Sequence, residues 1–363
     1  MIGITLSRYF AGRFIKWVVG LFVLVSCLVF LFDFLELVRR ASEKDAFTMG
    51  RAVMMSLMRV PSLTEQALPF ITLFGAIAAF HTLSRRLELV VARSAGISVW
   101  QFSAPIIVAA IVLGLFAVGV YNPVSAWMKS KSDALGVILL GKEQRVLLQT
   151  TGDTWLRQNG DDGESVINAR VALEQGQRLV GVTVFTFDQN GRFDQRIDAD
   201  EAVLTESHWT MKNAIVQKLR ADPVRYNSYL LSTFLKPEQI RQSLAAPDTV
   251  SIWELPSFIE LATHAGLPAY RYRLQYQTLL ARPLLLAAMV LLAATVSLGF
   301  GRFGGTGRMI LGGITAGFVL YVVDQFAKDL GGAGIVPPGV AAWSPGVVAT
   351  LIGFSILLHR EDG

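Results

Sequence analysis

Residues 66–84 and 99–121 contain no Asp, Glu, Lys or Arg at all. Each run is long enough for a helix to cross a hydrocarbon core, which takes ~20 residues. Similar apolar runs occupy 17–35, 283–301, 309–327 and 339–358, interrupted only by Asp33 and Asp324. Pro69 and Gly75 fall in the second run and are tolerable in a helix packed on neighbours. Only 17% of the 363 residues are charged, against ~25% in soluble domains. The mean hydropathy is +0.46. A purely soluble enzyme is excluded on these grounds.

Between the third and fourth runs the character changes. From 129 to 265 the chain is polar, punctuated by Gly and rich in short β-like segments. Val180–Phe187 combines β-branched and aromatic residues, and Asn190-Gly191 directly after it is a hairpin-turn signal. Arg145–Gln149, Val166–Leu173, Ala202–Thr205 and Trp209–Lys212 are further strand candidates. Ser251–Ala265 reads as an amphipathic helix returning the chain to the membrane, with Trp253, Phe258, Leu261 and Ala262 on one face and Pro256 near its start. The expected fold is an α-helical membrane protein of six transmembrane helices, three plus three, with an inserted all-β, jelly-roll-like domain. The expected divisions are 1–128, 129–265 and 266–363.

Basic residues in short loops set the orientation. Arg8, Arg13 and Lys16 precede the first span, and no small-x-small cleavage pattern follows it before Arg39, so this span reads as retained. A cytoplasmic N-terminus places Arg85, Arg86, Arg93, Arg302, Arg308 and Arg360 inside and the insert in the periplasm of a bacterium. The segment after span one breaks the pattern: Arg39, Arg40, Lys44, Arg51 and Arg59 fall outside. Anionic headgroups there would account for that excess. The net charge of +5 is scattered, which argues against nucleic acid as a partner. Cys27 is the single cysteine, so neither an intrachain disulfide nor a Cys-based zinc site is possible.

Two phosphate-binding patterns fail on inspection. Gly136–Lys142 has P-loop spacing, but Glu143 stands where the magnesium-binding Ser or Thr belongs. Gly299-Phe-Gly301-Arg-Phe-Gly304 follows a membrane span rather than a strand. His81, His208, His264 and His359 are dispersed, with neither HExxH nor GxSxG. Asp33 and Asp324 are the only acids well inside the apolar runs; paired in space they leave room for a membrane-embedded hydrolase. A non-transporting scaffold is the other reading from a different class.

Between spans two and three, Leu87, Val90, Val91 and Ser94 share one helical face while Arg86, Glu88 and Arg93 are available to others, and Gly96 ends the helix. Such a short amphipathic helix can rest on headgroups, cap the bundle or dock into a partner. Glu88-Leu-Val-Val-x-x-x-Ala-Gly96 closely resembles the coupling-helix segment of the LptF/LptG permeases, the membrane subunits of the ABC transporter that extracts lipopolysaccharide from the bacterial inner membrane. Val60-Pro61, Leu68-Pro69, Phe318–Gln325 and Gly334–Pro338 resemble the same family, and the layout covers the whole chain. The Tyr321-x-x-Asp324-Gln325 segment and the Ile335-x-Pro337-Pro338 loop lie nearer its LptG branch. Alternatives within transport are the paired LptF-type subunit and another ABC exporter permease.

The resemblance implies roles. Arg86, Glu88, Leu89 and Val90 would sit in a groove of a separate cytoplasmic, LptB-like ATPase dimer; ATP and magnesium would be used there, with no cofactor on this chain. A homologous permease (LptF) and periplasmic LptC- and LptA-like bridge proteins would be the other partners. Arg39 and Arg40 would meet lipid A phosphates, a task suited to bidentate guanidinium; snorkelling of interfacial arginines is the plainer reading. Phe70 and Phe74 would wall an apolar cavity or simply pack the bundle. Asp324, costly inside a membrane, needs a partner such as Arg282 or Tyr321, or serves as a proton relay. Val182–Phe187 would shield acyl chains or form an ordinary β core.

Overall fold

The structure, a computed structural model, describes residues 4–41, 48–88, 91, 94–133, 135, 154–160, 163–173, 178–187, 192–205, 207–218, 222–234, 246–264, 269–300 and 306–361. Long helices dominate both ends of the chain. Before the insert come α1 (Ile4–Ala41), α2 (Met49–Arg85) and α3 (Val99–Asp133). After it come the short α4 (Leu255–His264), then α5 (Tyr270–Phe300), α6 (Thr306–Gly332) and α7 (Pro338–Glu361). Five of these, α1, α2, α3, α5 and α7, are long and apolar enough to cross a membrane, among the described residues. α6 is 27 residues long and carries Asp324 and Lys328 in its second half.

The helices outrun the apolar stretches that announce them. α1 has 38 residues, about 57 Å at ~1.5 Å per residue, far more than a bilayer core requires. Its apolar middle is scarcely covered by the rest of the chain, whereas α5 is mostly buried. α5 is the axis of the bundle: Leu286, Ala288, Val290, Ala293 and Ala294 are fully enclosed by α2, α3 and α7. Between lipid-facing helices close approach replaces the hydrophobic drive. A Cβ on Gly75 would lie 2.6 Å from Val18, and one on Gly114 would lie 2.5 Å from the Pro283 backbone. The α1–α2 and α3–α5 contacts therefore depend on those glycines.

α3 begins at a complete capping box, in which the Ser98 hydroxyl accepts from Gln101 N–H and the Gln101 side chain accepts from Ser98 N–H. Midway it widens into a π-helical turn at Ala117–Tyr121.

The insert is an antiparallel meander of six strands in chain order: β1 (Thr154–Gly160), β2 (Gly163–Leu173), β3 (Arg178–Phe187), β4 (Phe193–Leu204), β5 (His208–Lys218) and β6 (Val224–Ser232). Val166–Leu173, Val180–Phe187 and Trp209–Lys212 lie inside β2, β3 and β5, and Ala202–Thr205 overlaps the end of β4 at Leu204. β3 and β4 are antiparallel neighbours, and the Asn190-Gly191 signal lies outside the described residues. The Arg145–Gln149 candidate and the Gly136–Glu143 and Gly301–Gly304 motif residues lie outside the described residues.

β3 buries Leu179 and, after a break in phase at Gly181 with φ +64°, the alternating Val182, Val184 and Thr186, leaving the residues between them half-exposed. The sheet curls, so that β1 returns to β6. Gln158 on β1 accepts from the Trp209 indole N–H at 2.9 Å and from the Thr233 hydroxyl at 2.7 Å, and donates to the Ser165 hydroxyl at 3.0 Å. Val182 and Val184 pack into the cluster around Trp209, Ile197 and Met211, so the inward side of Val182–Phe187 belongs to an ordinary core while Thr183, Phe185 and Phe187 are half-exposed.

The return helix differs from the expectation at its start. Pro256 fits the first turn of α4, where its missing N–H costs nothing. Trp253 precedes the helix and is 71% exposed, its indole donating to the Gly119 carbonyl at 3.2 Å. It does not share a buried face with Phe258 and Ala262. That face is built instead from Leu255, Ala262 and Phe258 against Tyr272 and Leu279.

Candidate functional site

At the end of α2 the Arg86 N–H bonds the Thr82 carbonyl at 3.2 Å, and the helix stops. The next residue, Leu87, has φ +58° and is exposed. Left-handed backbone is the usual preserve of Gly at a helix end and costs a leucine ~1–2 kcal/mol. A new helical turn follows, with Val91 N–H on Leu87 O and Ala95 N–H on Val91 O, and closes at Gly96 with φ +79°. The expected glycine stop is present. Arg86 and Val91 are exposed and Glu88 is half-buried; Leu89 and Val90 lie outside the described residues. Glu88 Oε1 accepts from the Tyr9 hydroxyl of α1 at 3.1 Å, and Arg13 donates to that hydroxyl through Nε at 3.2 Å and Nη2 at 3.1 Å.

The far end of α1 carries Arg39, which is 76% exposed and bonded to Glu36 at 2.6 Å. Arg40 follows it in the last turn of the helix, with its side chain outside the described residues. Arg59 on α2 is taken by Asp33 of α1 at 2.9 Å. Asp33 is thereby a structural ion pair, not half of an acid pair with Asp324. Arg51 lies in the first turn of α2 with an interaction of its own, and Lys44 is outside the described residues.

Between α2, α5, α6 and the segment before α4 lies a cavity of about 610 Å³. Phe70 and Tyr321 form one apolar wall, their rings 5.3 Å apart. Phe74, one turn on, packs against the bundle core instead. Asp324 and Lys328 line the cavity as an ion pair of 2.6 Å. The expected partnership of Asp324 with Arg282 is thus corrected: Lys328, one turn along the same helix, supplies the charge. Arg282 is occupied elsewhere, by the Glu65 carboxylate of α2.

Glu65 is the residue that sequence reasoning missed. It is 6% exposed and holds Arg282 while also accepting from Asn122 Nδ2 at 2.9 Å. Asn122 Oδ1 in turn accepts from the Ile252 backbone N–H at 3.0 Å, on the segment leading back from the sheet. The π-helical turn makes this possible by directing two consecutive residues at α2: Tyr121 donates to the Pro61 carbonyl at 3.0 Å, and Asn122 to Glu65. Glu65 and Arg282 each sit one residue outside a charge-free run, at 66–84 and 283–301. A window defined by the absence of charge leaves both out. Their complementary signs were the available signal.

A bundle of long apolar helices split by a β insert, with charged groups at the helix ends and lining a cavity between the helices, defines a multi-pass membrane protein. The family model described as lipopolysaccharide export system permease LptF/LptG matches residues 8–359, and the chain belongs to this family. It is a permease component of lipopolysaccharide export and not itself an enzyme. Among its relatives, the lipopolysaccharide export system permease protein LptG of Escherichia coli K12 is 25% identical over 365 residues, 98% of each chain. The protein of the same name from Haemophilus influenzae Rd is 23% identical over 370 residues, 99% of each.

Proposed function

We propose that this chain is the LptG-type half of a paired permease in the bacterial inner membrane. It spans the membrane six times, with its N-terminus in the cytoplasm and a jelly-roll-like domain at 129–265 in the periplasm. Lipopolysaccharide enters laterally from the outer leaflet, between spans one and five of the paired permeases. Arg39 and Arg40 hold its phosphates, Phe70 lines its path, and the lipid passes upward to the β domain and on to periplasmic bridge proteins. Exposed strand edges suit that hand-over by β-augmentation.

Energetics demand a motor. A lipid with several acyl chains exposes dozens of CH₂ groups on leaving a bilayer, at ~0.8 kcal/mol each, which sums to tens of kcal/mol. The push comes from a separate cytoplasmic ATPase dimer seated against Arg86, Glu88, Leu89 and Val90. The observation that carries this reading is the turn after α2. An exposed Arg86, Leu87 and Val91 surround Glu88 at the cytoplasmic end of a span, and the turn is set off from α2 by a left-handed joint.

The test is a tagged pull-down followed by reconstitution in liposomes. The chain co-purifies with an ATPase dimer and a second, homologous permease, and Glu88→Ala or the double change Arg39→Ala/Arg40→Ala cuts lipopolysaccharide release. Normal release by both variants, or ATP hydrolysis by the chain alone, overturns the assignment.

A further inference from the structure

We infer that Tyr9 is a positioning residue for Glu88, and that it makes α1, α2 and the turn beyond α2 move as one body. This deepens the reading of Glu88 as the group that meets the ATPase and rests on it.

The geometry around the Tyr9 hydroxyl is directional. Arg13 presents two N–H groups to its oxygen at 3.2 and 3.1 Å and sets its guanidinium 5.3 Å from the ring centre. With the oxygen accepting from Arg13, the single hydroxyl proton is left for Glu88 Oε1 at 3.1 Å. The positive guanidinium polarises the O–H and strengthens the bond to the carboxylate. Glu88 is thereby held in one orientation from a neighbouring helix.

Among the described residues, the turn is otherwise joined to the bundle through Leu87 at one side and Gly96 at the other, both in left-handed backbone. A body attached through such joints pivots when pushed. Tyr9 adds a third attachment, and Tyr9 is itself well anchored. Phe10 and Phe14 beside it are fully buried, Phe10 with its ring 6.3 Å from Phe102 of α3. At the opposite end the α1–α2 hairpin is pinned again by Asp33–Arg59. α1 runs unbroken between the two pins. From Tyr9 to Arg39 it extends about 45 Å at ~1.5 Å per residue. A displacement of Glu88 is delivered along this rod to the arginines that meet the lipid.

The experiment uses the complete complex in proteoliposomes and reads lipopolysaccharide released per ATP hydrolysed. Tyr9→Phe removes one oxygen and leaves the packing intact. It lowers the ratio by about fivefold, the size of one lost hydrogen bond, while hydrolysis itself continues. In a Glu88→Ala background, Tyr9→Phe has no further effect, because Tyr9 acts only through that carboxylate. A residue that merely stabilised the fold would instead multiply the two losses, and that outcome overturns the proposal. A wild-type ratio for Tyr9→Phe beside an impaired Glu88→Ala overturns the tether and leaves the docking reading standing. An unimpaired Glu88→Ala overturns the docking reading and the tether with it.

Discussion

Glu65 on α2 and Arg282 on α5 form an ion pair inside the helix bundle, and Asn122 of α3 donates to the same carboxylate oxygen. Three helices and, through Ile252, the segment returning from the β insert are joined at one point. Removing one partner of a buried pair strands the other charge at a cost of ~3–5 kcal/mol, whereas replacing both with apolar residues of similar volume is close to neutral. Glu65→Ala therefore melts well below the wild type in detergent, and Glu65→Leu/Arg282→Met recovers most of the difference. A Glu65→Ala midpoint equal to that of the wild type would show that the pair is not closed in the folded protein.

Leu87 bears a conformational cost that a glycine would not. Its φ of +58° disfavours any side chain by ~1–2 kcal/mol and a β-branched one most of all. Leu87→Gly leaves the thermal midpoint equal or higher, and Leu87→Val lowers it. The same glycine loosens the joint and reduces lipid moved per ATP hydrolysed. Equal midpoints for the two variants would rule out left-handed backbone at this position.

In the β insert, burial pushes the Glu201 carboxyl up, but hydrogen bonds and charge from Arg178 and Lys212 outweigh it and hold the group below its ordinary 4.5. A depressed folded value means that the stabilisation is complete above the unfolded value and is lost as pH falls through the folded one. Glu201→Gln is consequently less stable than the wild type at neutral pH, and the two converge in acid. Denaturant midpoints of both proteins across that range provide the check; a constant gap between the curves would exclude titration of Glu201.

Gln158 closes the curled sheet by serving Trp209, Thr233 and Ser165 together. Gln158→Ala leaves the buried Trp209 N–H without its acceptor, at a cost of ~1–3 kcal/mol. Amide hydrogen exchange in β1 and β6 should accelerate ahead of that in β3 and β4. Uniform acceleration over all six strands would mean that Gln158 supports the sheet as a whole rather than its closure.

Local features are legible in the sequence. Gly96 stops the turn after α2 because only glycine enters left-handed backbone freely. β3 is legible because alternating β-branched residues suit a sheet with one buried face. Other features are not. Trp253 looked like part of a helical face and instead caps a carbonyl of the π-helical turn in α3, more than a hundred residues away. Asp324 invites a match with Arg282 or Tyr321, whereas its partner is Lys328 at i+4 on the same helix, a local pairing that the sequence did offer.

Apolar run length settled that this chain enters a membrane, since solvation in hydrocarbon depends on composition and length alone. Which charges lie inside the bundle is another matter. Glu65 and Arg282 are 217 residues apart and each, taken alone, reads as the edge of a span. Neither is affordable in a membrane until the other is within reach, so their burial is a property of the pair. Only the packing of α2 against α5, with a widened turn of α3 bringing Asn122 between them, creates that pair.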